Sequence, residues 1–342
     1  MTKRNSLSLR MAGLLFVCLF GVALWGITTT RNDAVAPVPL DQLGLSLDHS
    51  AKAELVAAQM PQFLIVGAED QDNTRKNVRL WTAALAVNEG HWLPCGPQEI
   101  GDCVSWAAAR AVNALACQQI FNGQNQELHL AFPPFIYGAS RVTVGAKHGS
   151  HFRGDGSVGA YAAEAVQTIG VLPSDHPDCP PYSGAVAKDW GARGPPAWAI
   201  AAARGRMVQT VSRVKTAADV RDAICNLYPV TTASDFGTKT IRPQDGRQVA
   251  KHDASWQHAM CVTAYNGSGA QPYFYLMNSW GSKAHPEPLQ GEPPGGFWID
   301  SKTMDYIAQQ GDCWAYSAFD GFPAQLDVSP LRPRPPPNHK EP

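Results

Sequence analysis

Apolar and polar positions change their period along the chain, and the change sorts it into elements. The first run, Met11 to Thr28, is apolar and uncharged, and Lys3, Arg4 and Arg10 precede it. A basic flank before a stretch close to the roughly 20 residues that span a bilayer predicts an export leader over residues 1–30, either a signal peptide or an N-terminal membrane anchor. Residues 31–70 hold one weak helical stretch, Ala51 to Gln59, and read as a linker or short pro-segment. From Cys103 to Gln119 alanine, valine and leucine recur around the whole circumference of a helix, which predicts a long, central and buried one. Asp155 to Gly170 reads as a tight turn, a helix and a glycine stop. Ala217 to Leu227 reads as a helix opened by a capping box between Thr216 and Asp219. After that the period shortens, and Ala259–Tyr265, Tyr273–Met277 and Gly296–Asp300 read as strands. Helices first and strands later predict an α+β protein of two unlike lobes. A site built from both halves would lie between them. The globular body is expected over residues 71–328. The Arg-Pro-Arg-Pro-Pro-Pro run in residues 329–342 predicts a disordered or extended tail.

Composition narrows the function. With 28 basic and 29 acidic residues in 342, the net charge is near zero, and nothing points to a nucleic-acid partner or a polyanionic substrate. The leader would keep its basic residues inside and carry the rest of the chain out of the cytoplasm, secreted, periplasmic or anchored, with membrane contact only through the leader. Export would place seven of the eight cysteines, those after the leader, in an oxidising compartment. If all but one pair, three bridges form and one thiol remains. The alternative is that Cys117, Cys225 and Cys261, which sit in apolar patterns, are buried thiols outside any bridge.

Candidate chemistry lies in short stretches far apart: Gln98-Glu-Ile-Gly-Asp-Cys103, Gln257-His258-Ala259 and Asn278-Ser-Trp-Gly281. Cys103 opens the long helix, where the positive end of the helix dipole favours a thiolate. His258 begins a strand and can project an imidazole. Asn278 ends a strand and can orient that imidazole through its amide oxygen, with Trp280 shielding the bond. Gln98, five residues before the thiol, can donate its amide to an oxyanion beside the Cys103 N–H. Together these are the parts of a cysteine nucleophile with an oriented proton shuttle.

From about Leu93 to Phe322 the chain resembles the papain-like cysteine peptidases. The resemblance rests on Asn278-Ser-Trp-Gly281 after an apolar strand, on a histidine followed by alanine about twenty residues earlier, and on a helix leading into Pro229-Val230. His258 and Asn278 follow Cys103 by somewhat more than the ~130–150 residues of papain-type enzymes. The resemblance implies a two-lobed α+β fold, a helical lobe with a long central helix and a β-barrel-like lobe, with catalysis by Cys103, His258 and Asn278, and Gln98 in the oxyanion hole. It also implies Trp280 as support for the site, substrate contacts at Gly156, Ser157 and Ala259, a polypeptide substrate, and no metal or organic cofactor. The sequence departs from the family at Ile100-Gly-Asp-Cys-Val-Ser-Trp106, and Gln98 stands one residue closer to the thiol than usual.

A second string, Gly311-Asp-Cys313-Trp-Ala-Tyr-Ser317, matches the family's nucleophile segment better locally. It follows His258 and Asn278, which reverses the order, so Cys103 is preferred. His148, His151 and Asp155 match no standard metal-ligand spacing and read as a polar loop. Two other functions compete: a papain-fold binding or structural protein without turnover, and a different Cys-His acyl hydrolase such as a cell-wall amidase. Oligomeric state is not legible.

Overall fold

The computed structural model describes residues 77–124 and 127–317, all within one unit that spans Ala34–Pro342. The leader, the linker or pro-segment and the tail lie outside the described residues. The chain enters through strand β1 (Asn77–Arg79) and helix α1 (Trp81–Val87), then forms α2 (Cys103–Phe121) and α3 (Pro133–Gly138). A π-helical segment, Ala139–Val144, continues α3. Next come α4 (Gly159–Thr168), α5 (Gly184–Arg193), α6 (Ala197–Ala203), β2 (Thr210–Arg213) and α7 (Ala217–Cys225). The strand-rich half adds β3 (Val230–Gly237), β4 (Thr240–Gln244), β5 (Arg247–Lys251), β6 (Ala254–Asn266), β7 (Tyr273–Met277), β8 (Gly296–Asp300), α8 (Ser301–Gln309) and β9 (Asp312–Ser317).

Helix α2 forms where alanine density is highest, since alanine loses no side-chain entropy on joining a helix. Cys103, Ala107, Ala111 and Leu115 along it are all buried. Its far end stops at Gly123, whose φ of +94° ends the helical path. Helix α4 starts at Gly159, where the Asp312 carboxylate accepts the Gly159 N–H at 2.8 Å. A Cβ there would strike that carboxylate, so the position requires glycine. Helix α7 carries the expected capping box, with Thr216 and Asp219 each bonded to the other's backbone N–H.

The strands form one nine-stranded sheet in the order β2-β9-β3-β6-β7-β8-β5-β4, with β1 added to β6. Its two faces serve different cores. On β6, Ala259 and Cys261 pack into the helical core with Cys103, Ala107 and Tyr161, while Met260 and Val262 pack into a second core with Ile224, Phe297 and Met304. Strand β9 divides in the same way, Trp314 and Tyr316 to one side and Cys313 and Ala315 to the other. Alternation along a strand therefore makes the sheet a shared wall between the lobes.

Strands β7 and β8 have the expected bounds, and β6 is longer than its apolar run. Strand β9 replaces the second nucleophile-like string with a buried strand between β2 and β3. Buried on both faces, it lacks the alternation that marks a strand. The three bridges expected among the cysteines are not formed: no disulfide joins the described ones. They are dispersed, with Cys103 and Cys261 in the helical core, Cys225 and Cys313 in the second, and Cys117 in a third cluster. No described helix is long and apolar enough to cross a membrane.

Thr216→Ala should cost about 1 kcal/mol through loss of the α7 cap. A urea-unfolding midpoint equal to wild type would refute this contribution.

Candidate active site

The loop before α2 is stitched to the loop after β7. Gln98 N–H donates to the Ser279 carbonyl at 2.8 Å, and Gly281 N–H donates to the Cys95 carbonyl at 3.0 Å. The Ser279 hydroxyl donates to Gln98 Oε1. Gly96, at φ +104°, lies against the Ser279 carbonyl with no room for a Cβ. These contacts bring the start of α2, with Cys103 as its first residue, to the segment that carries Asn278. A cavity of about 10 Å³, the room of one water, lies there between Ala107 and Arg110 of α2 and Ala259, Asn278 and Ser279. Cys103 itself is fully buried. The Gln98 side chain is buried too, and its Nε2 donates to the Ile100 carbonyl at 2.9 Å. With its loop one residue short, this amide folds back onto its own turn.

His258 stands at a β-bulge. Ser234 pairs with His258 and Phe236 with Ser255, so Trp256 and Gln257 oppose Asp235 alone. Bulges of this kind re-aim the adjoining side chain and are common beside active sites. His258 Nε2 meets Asn278 Oδ1 at 2.7 Å. Ser279 N–H donates to the same oxygen at 2.7 Å, which identifies that atom as the acceptor end of the amide. His258 Nε2 therefore carries a hydrogen, and its Nδ1, buried and without a hydrogen-bond partner among the described residues, holds the lone pair of a neutral imidazole. Burial pushes the His258 pKa down to about 4, with the Asn278 bond opposing. Trp280 covers the pair, its ring 4.5 Å from that of His258 and tilted by 32°. The other end of the amide, Asn278 Nδ2, lies 2.9 Å from Nε2 of His285, which is also buried.

Three further residues shape the site. Asp102, fully buried beside Cys103, accepts the Tyr182 hydroxyl at 3.2 Å. Burial pushes the Asp102 pKa up to about 8, against the Tyr182 bond. Arg141, in the π-helical segment, donates to the carbonyls of Gly154 (2.6 Å), Gly156 and Gly191 (2.9 Å). Its guanidinium lies over the Tyr137 and Phe152 rings. The Gly154–Gly159 turn is thus held from inside, and Gly101 N–H reaches Asp155 across to it at 3.5 Å. Gly156 and Ser157 are both buried, the Gly156 N–H donating to the Tyr137 hydroxyl at 2.9 Å and the Ser157 hydroxyl bonded to that of Ser140 at 2.8 Å.

Of the expected residues, Gln98, Asn278 and Trp280 share this neighbourhood with His258, and Ala259 packs in one core with Cys103. Cys313 does not join them. It is buried in the second core, its Sγ 3.8 Å from the Ile307 carbonyl, and burial pushes its pKa well up. His148 bonds Glu164 at 2.7 Å. Among the described residues no group of His, Cys, Asp and Glu is arranged to hold a metal ion. Sequence reading missed His285, Asp102 and Arg141. Only Asp102 had a local signal, an acid directly beside the candidate thiol.

No protein-family model matches the chain, and no curated protein matches it. Solved structures do. The chain is similar to the Amb a 11 cysteine protease, a major ragweed pollen allergen, in its proform, with 14% identity over 82% of this chain and 76% of that one at a TM-score of 0.50. It is also similar to xylellain, a cysteine protease from Xylella fastidiosa, with 18% identity over 72% and 87% of the two chains at a TM-score of 0.48. Digestive procathepsin L 3 of Tenebrio molitor larval midgut matches with 16% identity over 78% and 79% at 0.47. At such identities the likeness concerns fold alone, and the fold is the α+β papain-like one.

Asp102 gives a pH prediction. A carboxyl raised from 3.8 to about 8 binds its proton more tightly in the folded state. Its contribution to stability is full below pH 3.8, declines as pH rises toward about 8 and is lost above. Asp102→Asn should therefore unfold at higher urea relative to wild type at about pH 8.5 than at about pH 5. An offset between the two proteins that does not change with pH would refute the assignment.

Proposed function

We propose that the chain is an exported cysteine-type endopeptidase acting on polypeptides, its peptidase domain spanning residues 71–328. The observation that carries this reading is the His258–Asn278 bond, which leaves a buried imidazole Nδ1 without a partner in a papain-like fold. Such a nitrogen is the group that takes a thiol proton.

In this reading His258 Nδ1 accepts the Cys103 proton, and the thiolate attacks the peptide carbonyl carbon. The oxyanion receives the Cys103 N–H at the start of α2 and an amide hydrogen of Gln98. The imidazolium gives its proton to the leaving amine as the C–N bond breaks. His258 then deprotonates water, which attacks the thioester and returns the thiol. Asn278 holds the imidazole plane throughout, under Trp280. The backbone of the turn at Gly156 and Ser157, with Ala259, contacts the substrate. The steps as written use side chains, backbone N–H groups and water.

A second reading has its own support. Cys103 is fully buried and the Gln98 amide is turned onto Ile100, as in a papain-like protein that binds without turnover.

The purified full chain should cleave a peptide library, with Cys103→Ala lowering the rate by more than about a thousandfold. An epoxysuccinyl inhibitor of thiol peptidases should attach to Cys103 and not to Cys313. Burial pushes Cys117 and Cys261 up to about 12 and Cys179 up to about 11, so background labelling near neutral pH should be slight. An intact library with no adduct would establish the second reading. Cleavage of cell-wall fragments but not peptides would make the chain an amidase.

A further inference from the structure

The amide of Asn278 has two ends, and the proposed mechanism uses only one. Oδ1 is fixed as the acceptor by the Ser279 N–H, so Nδ2 is the end that faces His285, and an amide nitrogen can only donate. His285 Nε2 must therefore accept, which makes His285 the neutral tautomer with hydrogen on Nδ1. The chain of bonds then has a single direction: His258 Nε2–H to Asn278 Oδ1, and Asn278 Nδ2–H to His285 Nε2. All three side chains are buried. Uncharged groups pack around His285. Its ring lies 5.9 Å from that of Trp280, which also covers His258, and 4.9 Å from Phe297 at 89°. Burial, with His258 adding to it, pushes the His285 pKa down to about 3, so the acceptor nitrogen stays bare across the neutral range.

We propose that His285 is a positioning residue: by accepting the Asn278 amide hydrogen it pins the amide in the orientation that presents oxygen to His258, and so sets the tautomer of the imidazole that serves Cys103. Its relevance to Cys103 rests on the peptidase reading. A buried amide with no acceptor at Nδ2 would leave a donor unsatisfied, and its orientation would then rest on the Ser279 N–H without His285 to reinforce it. Partners that orient a catalytic group in this way set which ring nitrogen carries the proton.

Three measurements on the full chain test this. NMR of nitrogen-labelled histidine in the wild-type protein should show His285 with hydrogen on Nδ1 and a bonded, unprotonated Nε2; a hydrogen on Nε2 overturns the proposal whatever the variants do. His285→Phe, once circular dichroism shows it folded, should slow iodoacetamide alkylation of Cys103 near neutral pH by about fivefold, the effect of one hydrogen bond. His285→Gln supplies an acceptor oxygen and should recover more than half of that loss. In an Asn278→Ala background His285→Phe should change nothing further, because the two residues act as one unit. An equal loss in both backgrounds, or no loss in the folded variant, overturns the proposal. Wild-type Cys103 that alkylates no faster than Cys313 would sink the peptidase reading instead, and the NMR result would still decide the orientation of His285.

Discussion

One buried primary amide organises this molecule's centre. Asn278 is almost fully buried, and a buried amide with an unmet donor or acceptor is destabilising by an amount comparable to a sizeable share of a domain's net stability. Its oxygen takes a backbone N–H from Ser279 and a ring N–H from His258, and its nitrogen meets His285. Because every contact has a fixed donor and acceptor sense, satisfying one determines the others. The proton on each histidine follows from the peptide group of Ser279.

The fold exists around this constraint in a specific way. Ser279 also accepts Gln98 N–H and bonds the Gln98 side chain, so the residue that sets the amide's sense holds the loop before α2. Helix α2 and strand β6 share a core in which Cys103, Ala107 and Ala259 pack together, which requires small residues on both sides. The bulge beside His258 then lets one strand serve two purposes, a regular ladder with β3 above it and a re-aimed imidazole at its start. On the far side Arg141 fastens the glycine turn by two of its carbonyls and ties it to helix α5 through the Gly191 carbonyl, a role that fits its place in a π-helical segment, where helix geometry opens locally.

Legibility in the sequence followed the range of the interaction. Helix α2, the capping box of α7 and the strands β7 and β8 were readable because composition, local spacing and short apolar runs determine them. Cys103, His258 and Asn278 stood out as a set because their order and separation were informative even where each alone was not, and the structure joins two of them, His258 and Asn278. Strand β9 was a decoy set aside by residue order: Asp312-Cys313-Trp314 imitates a nucleophile segment, and its burial between β2 and β3 makes it a wall of the core. His285 was invisible for a different reason. It lies in a polar loop before a proline, and what makes it matter is the direction of a hydrogen bond to a side chain seven residues earlier. Arg141 partners carbonyls from two other segments, and no pattern in its own neighbourhood announces them. The Gln98 loop shows the limit from the other side: the sequence revealed that it was a residue short, but only the coordinates show the amide on Ile100.

Burial also resolves an electrostatic difficulty that the sequence poses. An aspartate next to a nucleophilic cysteine should be a poor neighbour, because a carboxylate one residue away opposes a thiolate, most strongly where the surroundings are apolar. Here the surroundings themselves remove the charge, since Asp102 is deep enough that it stays protonated up to about pH 8. The same effect that holds Asp102 neutral raises the thiols of Cys117, Cys261 and Cys313, which lie inside helices and strands with no helix N-terminus to offset the loss of solvent. Cys103 differs from them by position: it alone of the described cysteines opens a helix, where the positive end of the helix dipole favours a developing negative charge. Desolvation in the core thus suppresses these competing thiols and the adjoining acid, and the helix start, under the proposed reading, favours negative charge at Cys103.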